Sequence, residues 1–255
     1  MRSAQYDHLQ NVCIQGASRG IGLALVGRML QRPSVGHVIA TARRPEASEG
    51  LFALTQRHPD RLITLTVDVT DEGSMAEAAR ISTARVGRLH LLMNVAGLLH
   101  APDGMAPEKR IEALDPGFLA RAFAVNATGP ALMVKHMLPL LRHDERAVIA
   151  NLSARVGSIE DNGLGGWYGY RASKAAQNQL TRTLAIELRR RAKHVICVAL
   201  HPGTVDTALS RPFRGGAKRR FTPDEAAGHL LDVIDGLGPE DTGAFFAWDG
   251  SRIPW

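Results

Sequence analysis

The chain predicts a doubly wound α/β fold, a parallel sheet of about seven strands with helices on both faces. Three observations lead there. Short apolar, β-branched runs alternate with longer stretches of helical periodicity. Runs such as Val195-Ile196-Cys197-Val198-Ala199-Leu200 are apolar at nearly every position, as strands buried on both faces are. A glycine-rich turn, Gly16-Ala17-Ser18-Arg19-Gly20-Ile21-Gly22, joins the first such run to the first helical stretch.

The elements follow in order. Val12 to Gln15 reads as a strand entering the glycine turn, and Ile21 to Leu30 carries a helical apolar face. His37 to Thr41 is a strand, Leu51 to Arg57 helical, and Leu62 to Val67 a strand. Asp71 can cap a helix that runs through Ala84, and Leu89 to Met93 is the next strand. Pro116 to Leu141 is one long helical stretch, with Pro130 and Pro139 as kink points. Ala147 to Leu152 is a strand, Tyr168 to Arg191 a helix and Val195 to Leu200 a strand. Thr222 can cap a last helix to Ile234, and Ala244 to Trp248 closes as a strand.

A single domain over residues 1–255 fits this length, with no internal repeat or low-complexity linker. Hydrophobic residues at 45% and charged residues at 22% are those of a globular chain rather than a disordered one. No apolar run is long enough to cross a bilayer, and Met1 to Gln10 lacks the apolar core of a signal peptide, so a cytoplasmic location is expected. Cys13 and Cys197 lie inside apolar strands and read as buried thiols in a reducing compartment. The net charge of +6 draws on two clusters, Arg189 to Lys193 and the segment from Arg211 through Arg214, Lys218 and Arg219 to Arg220. No nucleic-acid motif accompanies them, so they read as a solvated helix end and a basic loop, and no nucleic-acid partner is expected. The histidines show no ligand spacing, so no metal is expected. His201 reads as structural.

The chemistry sits in two places. The glycine turn follows a strand and opens a helix, the setting in which a helix N-terminus receives a dinucleotide pyrophosphate. Gly16 permits the tight turn, Gly20 close backbone approach, and Gly22 the packing of helix on strand. This is the Rossmann-type arrangement. Far downstream, Tyr170-Arg171-Ala172-Ser173-Lys174 sets a phenol and an ammonium on one helix face. A phenol titrates near ~10, and a nearby ammonium and a cationic nicotinamide are expected to lower that value, so Tyr170 can exchange a proton with a substrate oxygen.

The glycine spacing joined to Tyr170 and Lys174 resembles the short-chain dehydrogenase/reductase family, over nearly the whole chain. Asn94-Val95-Ala96-Gly97 is similar to the family's Asn-Asn-Ala-Gly element, with Val95 in place of the second Asn. Within that likeness, Arg155 to Ile159, Gly165-Gly166-Trp167-Tyr168 and the ending through Trp255 resemble the C-factor and sniffer-type carbonyl reductases. The resemblance implies an NADP(H)-dependent oxidoreductase acting on a small carbonyl or alcohol, in a homodimer that uses the helices from Pro116 to Leu141 and Tyr168 to Arg191. It implies Tyr170 as acid/base, Lys174 on the cofactor ribose and Asn126 in the proton relay. Cofactor contacts are implied for Gly16, Ser18, Arg19, Gly20, Ile21, Gly22, Asn94, Ala96, Gly97, Pro202, Gly203, Val205 and Thr207. Asp68 and Val69 would meet the adenine. An alternative from another class is an NAD(P)-binding signalling protein of C-factor type with incidental activity.

Two departures bear on function. NAD-preferring relatives place an acid at the end of the second strand, where this chain has Ala42-Arg43-Arg44. Arg43, with Arg19, is therefore assigned to a 2′-phosphate, which guanidinium groups suit. The family writes Asn-x-Ser-Ser at the end of the fifth strand, where this chain has Asn151-Leu152-Ser153-Ala154. Simple register puts Ala154 at the catalytic position and Ser153 on the opposite face, unless the strand end bulges. Ser153 is taken as the hydroxyl that polarises the carbonyl, with Ser158 or no serine as the alternatives. Ser210 to Phe221 reads as the lid over the substrate, whose identity the sequence leaves open.

Overall fold

The computed structural model describes residues 10–213 and 219–255. Residues 1–9 of the polar start, and Arg214 and Lys218 of the expected lid, lie outside the described residues. The strands are β1 (Asn11–Gln15), β2 (His37–Ala42), β3 (Leu62–Thr66), β4 (Leu91–Asn94), β5 (Ala147–Leu152), β6 (Val195–His201) and β7 (Phe245–Ala247). They form one sheet in the order β3-β2-β1-β4-β5-β6-β7, and every pair is parallel. The helices are α1 (Gly20–Leu30), α2 (Glu49–Arg57), α3 (Glu72–Val86), α4 (Pro116–Phe123), α5 (Gly129–Leu141), α6 (Tyr168–Arg191) and α7 (Pro223–Gly236).

Alternation along the strands divides the core into two layers. Val12, Ile14, Leu91, Met93, Val148, Ala150, Ile196 and Val198 pack with Leu25, Met29 and Leu30 of α1 and Leu230 and Ile234 of α7. Cys13, Ile39, Leu92, Ile149 and Cys197 point the other way, onto α3, α5 and α6. Both cysteines are free and buried, as expected, and burial pushes each thiol up to about 12. Among the described residues no helix is long and apolar enough to cross a membrane.

The caps expected at Asp71 and Thr222 are present. Asp71 accepts from the Gly73 amide, and Thr222 forms a reciprocal capping box with Glu225. The stretch from Pro116 to Leu141 differs from the expected kinked helix. A π-helical segment, Ala124–Thr128, separates α4 from α5. Pro130 stands in the first turn of α5, where a missing N–H is harmless, and Pro139 lies inside that helix. The segment occurs where Gly129 packs on Val69; a Cβ there would lie 2.7 Å from the Val69 Cβ.

Strand order reverses between β1 and β4. In sheets of this type a crevice opens beyond the carboxyl ends at that point. The segments after β1, β2, β3, β4, β5 and β6 all emerge on this edge.

Candidate functional site

The glycine turn is held against its neighbours backbone to backbone. The amides of Gly16 and Ala17 both donate to the Thr41 carbonyl at the end of β2. Gly16 has φ +85°, and a Cβ on it would sit 2.6 Å from the Ala96 nitrogen. Gly16 thus makes the tight turn expected of it and lets that turn close on Ala96. Gly20 supplies a left-handed residue at φ +56° and faces Thr207. Gly22 packs as expected, since a Cβ there would lie 2.2 Å from the Gly16 carbonyl oxygen.

The N-terminus of α1 that results is bare. Arg19 occupies the cap with no side-chain hydrogen bond, and the first turn contains no acid. Its amides are therefore donors without an internal acceptor, and the helix dipole favours an anion there. Arg19 and Arg43 are exposed beside it. Among the described residues neither makes an ion pair or hydrogen bond; Arg43 acts on Asp68 only through its charge. Partial burial raises the Asp68 carboxyl, but bonds from the Thr70 hydroxyl and amide, with the Arg43 charge, hold it below the usual value. Bare helix amides and two uncommitted guanidiniums fit the pyrophosphate and 2′-phosphate of NADP(H).

Asn94 is fully buried, and its amide nitrogen donates to Asn151 Oδ1 at 2.8 Å. Asn151 in turn donates to Thr181 on α6 at 2.9 Å. The Asn94 Nδ2 thus ties β4 to β5, while its Oδ1 is buried with no partner among the described residues. Asn126 lies in the π-helical segment, a deformation common at functional sites. Its Oδ1 accepts from the Leu98 amide, and its Nδ2 donates to the Leu98 carbonyl and the Ser173 hydroxyl. The side chain assigned to a proton relay therefore fastens the segment after Gly97 to α6.

Tyr170 and Lys174 stand one turn apart on α6. The ammonium is 3% exposed and donates to the Leu152 carbonyl at 2.8 Å and Gln177 Oε1 at 2.9 Å. Burial pulls it down to about 7. Among the described residues nothing hydrogen-bonds the Tyr170 hydroxyl. Burial pushes this phenol up to about 12, opposite to the direction expected from the Lys174 charge. In the protein alone, desolvation outweighs that charge.

The structure engages both candidate serines with protein groups. β5 continues without a bulge, for the Ser153 amide still donates to the Leu200 carbonyl of β6. Alternation then turns Ser153 inward, and its hydroxyl donates to Asn178 Oδ1 at 2.7 Å. Ser158 is engaged as well, donating to the Trp255 carbonyl and accepting from the Asp161 amide. Ala154, in extended conformation, follows at the less buried position.

The loops after β6 complete the edge. Gly203 has φ +77° and packs under Phe221 and Trp248, and Val205 bridges to Phe221. In the expected lid, Arg211 pairs with Asp206, and the Arg219 guanidinium lies over the Phe221 and Trp248 rings. Three further residues at this edge were given no individual role by the sequence reading: Glu108, Trp167 and Phe213. The signal for Trp167 was the glycine pair before it and for Phe213 its place in the expected lid; Glu108 had none. The fold also gathers His90, His143 and Glu145 at the opposite, amino edge. There each imidazole nitrogen already meets a protein group: Asn11 N and Glu145 Oε2 for His90, Glu145 N and the Leu89 carbonyl for His143.

An open α/β sheet with a bare helix N-terminus at its switch point, and a Tyr–Lys pair on a helix at the same edge, defines a dinucleotide-binding fold. The chain belongs to the short chain dehydrogenase family, whose model matches residues 10–217. It is similar to an NADPH-bound carbonyl reductase from chicken fatty liver, with 32% identity, TM-score 0.88, and 97% of this chain and 95% of that one covered. It is also similar to the carbonyl reductase Sniffer of Drosophila melanogaster, with 29% identity, TM-score 0.85, and coverage of 97% and 100%. The C-signal protein of Myxococcus xanthus is 38% identical over 142 residues, 56% of this chain and 81% of that protein.

His201, at the end of β6, reads as structural here too. Its Nδ1 is buried with no partner among the described residues, and burial first, then the Arg155 charge, pull it down to about 4, against Asp249. The unfolded chain takes up a proton below about 6.5 that the folded chain refuses until about 4. Stability is expected to fall as pH drops through that window. Melting followed by circular dichroism at steps from pH 7 to pH 4 should show the decline, and His201→Gln should flatten it. Parallel curves for the two proteins would contradict this.

Proposed function

We propose that the protein is an NADPH-dependent oxidoreductase that interconverts a carbonyl and an alcohol, with Tyr170 as proton donor and acceptor. The observation that carries this is a phenol whose hydroxyl has no hydrogen-bond partner among the described residues, one helical turn from a buried ammonium, in a sheet whose switch point carries a bare helix N-terminus. When bound, the nicotinamide supplies or removes the hydride. The amides of α1, from Gly20 through Gly22, hold the pyrophosphate, with Ser18 and Ile21 flanking them. Arg43 and Arg19 take the 2′-phosphate. Asp68, Val69, Asn94, Ala96 and Gly97 border the adenosine side, and Pro202, Gly203, Val205 and Thr207 the nicotinamide side. Two similar structures, of the chicken protein and of a Burkholderia multivorans protein, hold NADPH and NADP, which supports the cofactor choice.

A phenol near 12 is fully protonated at neutral pH, so it enters carbonyl reduction as an acid. It donates to the carbonyl oxygen as that oxygen gains charge. Alcohol oxidation needs the phenolate, so that direction gains with rising pH. Lys174, titrating near 7, adds a positive charge close to the phenol below that pH. With Ser153 and Ser158 both engaged elsewhere, Tyr170 works without a serine hydroxyl.

This division of roles separates two variants. With NADPH saturating, Tyr170→Phe is expected to lower carbonyl reduction by a factor of about 100 or more. Ser153→Ala should leave kcat within a factor of about 3 while lowering the melting temperature, because Asn178 Oδ1 loses its donor. A collapse of kcat in Ser153→Ala would return that hydroxyl to the chemistry.

Arg43→Asp should weaken NADPH binding by a factor of about 10 or more and move preference toward NADH, through loss of a charge-assisted bond. Fluorescence titration with each cofactor reads this directly. Equal wild-type affinity for both would remove the 2′-phosphate role.

A homodimer through α4 and α6 completes the reading. Phe123 on α4 and Tyr168, Leu180 and Ile186 on α6 are large apolar groups left exposed, and Ala172 beside them allows close approach. Light scattering should give a dimer mass that persists on dilution, and Leu180→Glu should yield monomer. A monomer mass for the wild type at every concentration would refute it.

A further inference from the structure

Gly165, Gly166 and Trp167 have φ of 65°, 65° and 55° in succession, directly before α6. Glycine takes this conformation freely, whereas a bulky side chain is strained in it. Trp167 is the sole non-glycine residue with positive φ among the described residues. Two groups hold it there. The Glu108 carbonyl accepts from the Trp167 amide, and the buried Glu108 carboxylate accepts from the Gly169 amide at 3.1 Å. From the other side, Arg171 Nε donates to the Gly166 carbonyl at 2.9 Å, and Arg171 Nη1 to the Val156 carbonyl at 3.2 Å.

The result is a fixed indole beside the reactive phenol. The Trp167 ring meets the Tyr170 ring edge to face at a centroid distance of 6.2 Å. It meets Phe213 at 5.3 Å, and Phe213 meets His100 at 5.6 Å. His100 Nε2 lies 3.2 Å from the Ala208 carbonyl, which fastens the far end of the row. Four rings from the segments after β4, β5 and β6, and from α6, thus form one wall along the carboxyl edge. Trp167, Phe213 and His100 are each only partly buried, so ring surface stays accessible next to the phenol. The Glu108 carboxylate and the Arg171 guanidinium beside this wall are both committed: Glu108 caps α6, and Arg171 holds the glycine pair.

We propose that Trp167 and Phe213 are the specificity-determining residues of the site, selecting neutral carbonyl compounds whose carbonyl carries an aromatic or other flat conjugated group. The inference rests on Tyr170 as the proton donor, since it places the flat group against the indole when the carbonyl oxygen meets that phenol. Aromatic rings gain most from offset or edge-to-face contact with other rings, and a straight alkyl chain gains only its apolar area.

The experiment compares benzaldehyde with hexanal in NADPH oxidation by wild type, Trp167→Gly, Phe213→Ala and Tyr170→Phe. The wild type should favour benzaldehyde in kcat/KM by a factor of about 10 or more. Both wall variants should erase most of that preference, chiefly through KM. Trp167→Gly removes the strain as well as the ring, so it should melt no lower than the wild type. Tyr170→Phe should depress both substrates and leave their ratio unchanged. A wild type with no preference, or wall variants that keep it, overturns the proposal. An unchanged rate in Tyr170→Phe overturns the proton-donor reading instead. Quenching of tryptophan fluorescence by benzyl alcohol, with the cofactor bound, reads the wall without turnover. It should be present in the wild type and lost in Trp167→Gly, and its persistence in that variant also overturns the proposal.

Discussion

The site depends on one close contact, the backbone of Gly16 against the backbone of Ala96. A single Cβ at residue 16 would occupy space 2.6 Å from the Ala96 nitrogen. Because it is absent, the turns after β1 and β4 close on each other at the point where strand order reverses. The carbonyl of Thr41 fixes the same turn from β2. Everything that follows takes its position from this junction. α1 starts with bare amides facing the crevice, and the segment through Gly97 and Leu98 is passed on to Asn126 and from there to α6.

α6 is the second organising element, and its inward face is unusual. Ser173, Lys174, Gln177, Asn178 and Thr181 are all buried there, where a helix of a core would normally show apolar residues. Four of them reach a group outside the helix: Asn126 for Ser173, the Leu152 carbonyl for Lys174, Ser153 and the Gly157 carbonyl for Asn178, and Asn151 for Thr181; Gln177 accepts from Lys174. Buried polar groups are directional, so this face admits one register of helix against sheet where apolar packing would admit several. The phenol at its N-terminal end inherits that precision. Its position is set by hydrogen bonds along the helix rather than by bonds to the phenol itself, which leaves the hydroxyl for a substrate.

The electrostatics of the protein alone are those of a receiver. Burial raises Tyr170 and lowers Lys174, and among the described residues Arg19 and Arg43 stand without ion pairs. Each of these is a small unfavourable condition in isolation. In the proposed reading, an anionic cofactor would answer the guanidiniums and helix amides, and ribose hydroxyls the ammonium. The Trp167 conformation belongs with them, as backbone strain kept at a functional edge.

How much was legible in the sequence varies by kind of constraint. Strand and helix order, the burial alternation, the caps at Asp71 and Thr222, and the Tyr170–Lys174 pair all follow from contacts within a few residues, which linear spacing encodes. Helix α6 from Tyr168 to Arg191 and strand β5 from Ala147 to Leu152 emerged at the bounds expected. The π-helical segment at Asn126 did not, because it answers the approach of Gly129 to Val69, a contact between distant parts of the chain. Ser153 shows the same division. Its presence and its strand parity could be read, but whether the strand bulged was settled by the amide bond to Leu200. The Tyr170 shift in the protein alone was hidden for a like reason: a charge four residues away is visible in a sequence, whereas desolvation by everything packed around the ring is not. The sequence by itself determined the fold, the dinucleotide turn and the placing of Tyr170 and Lys174 on one helix, since each is written in local spacing. Tertiary structure alone decided which hydroxyls stay free, how the titrating groups are shifted and which rings line the substrate edge, because those depend on what comes to lie beside each group after folding.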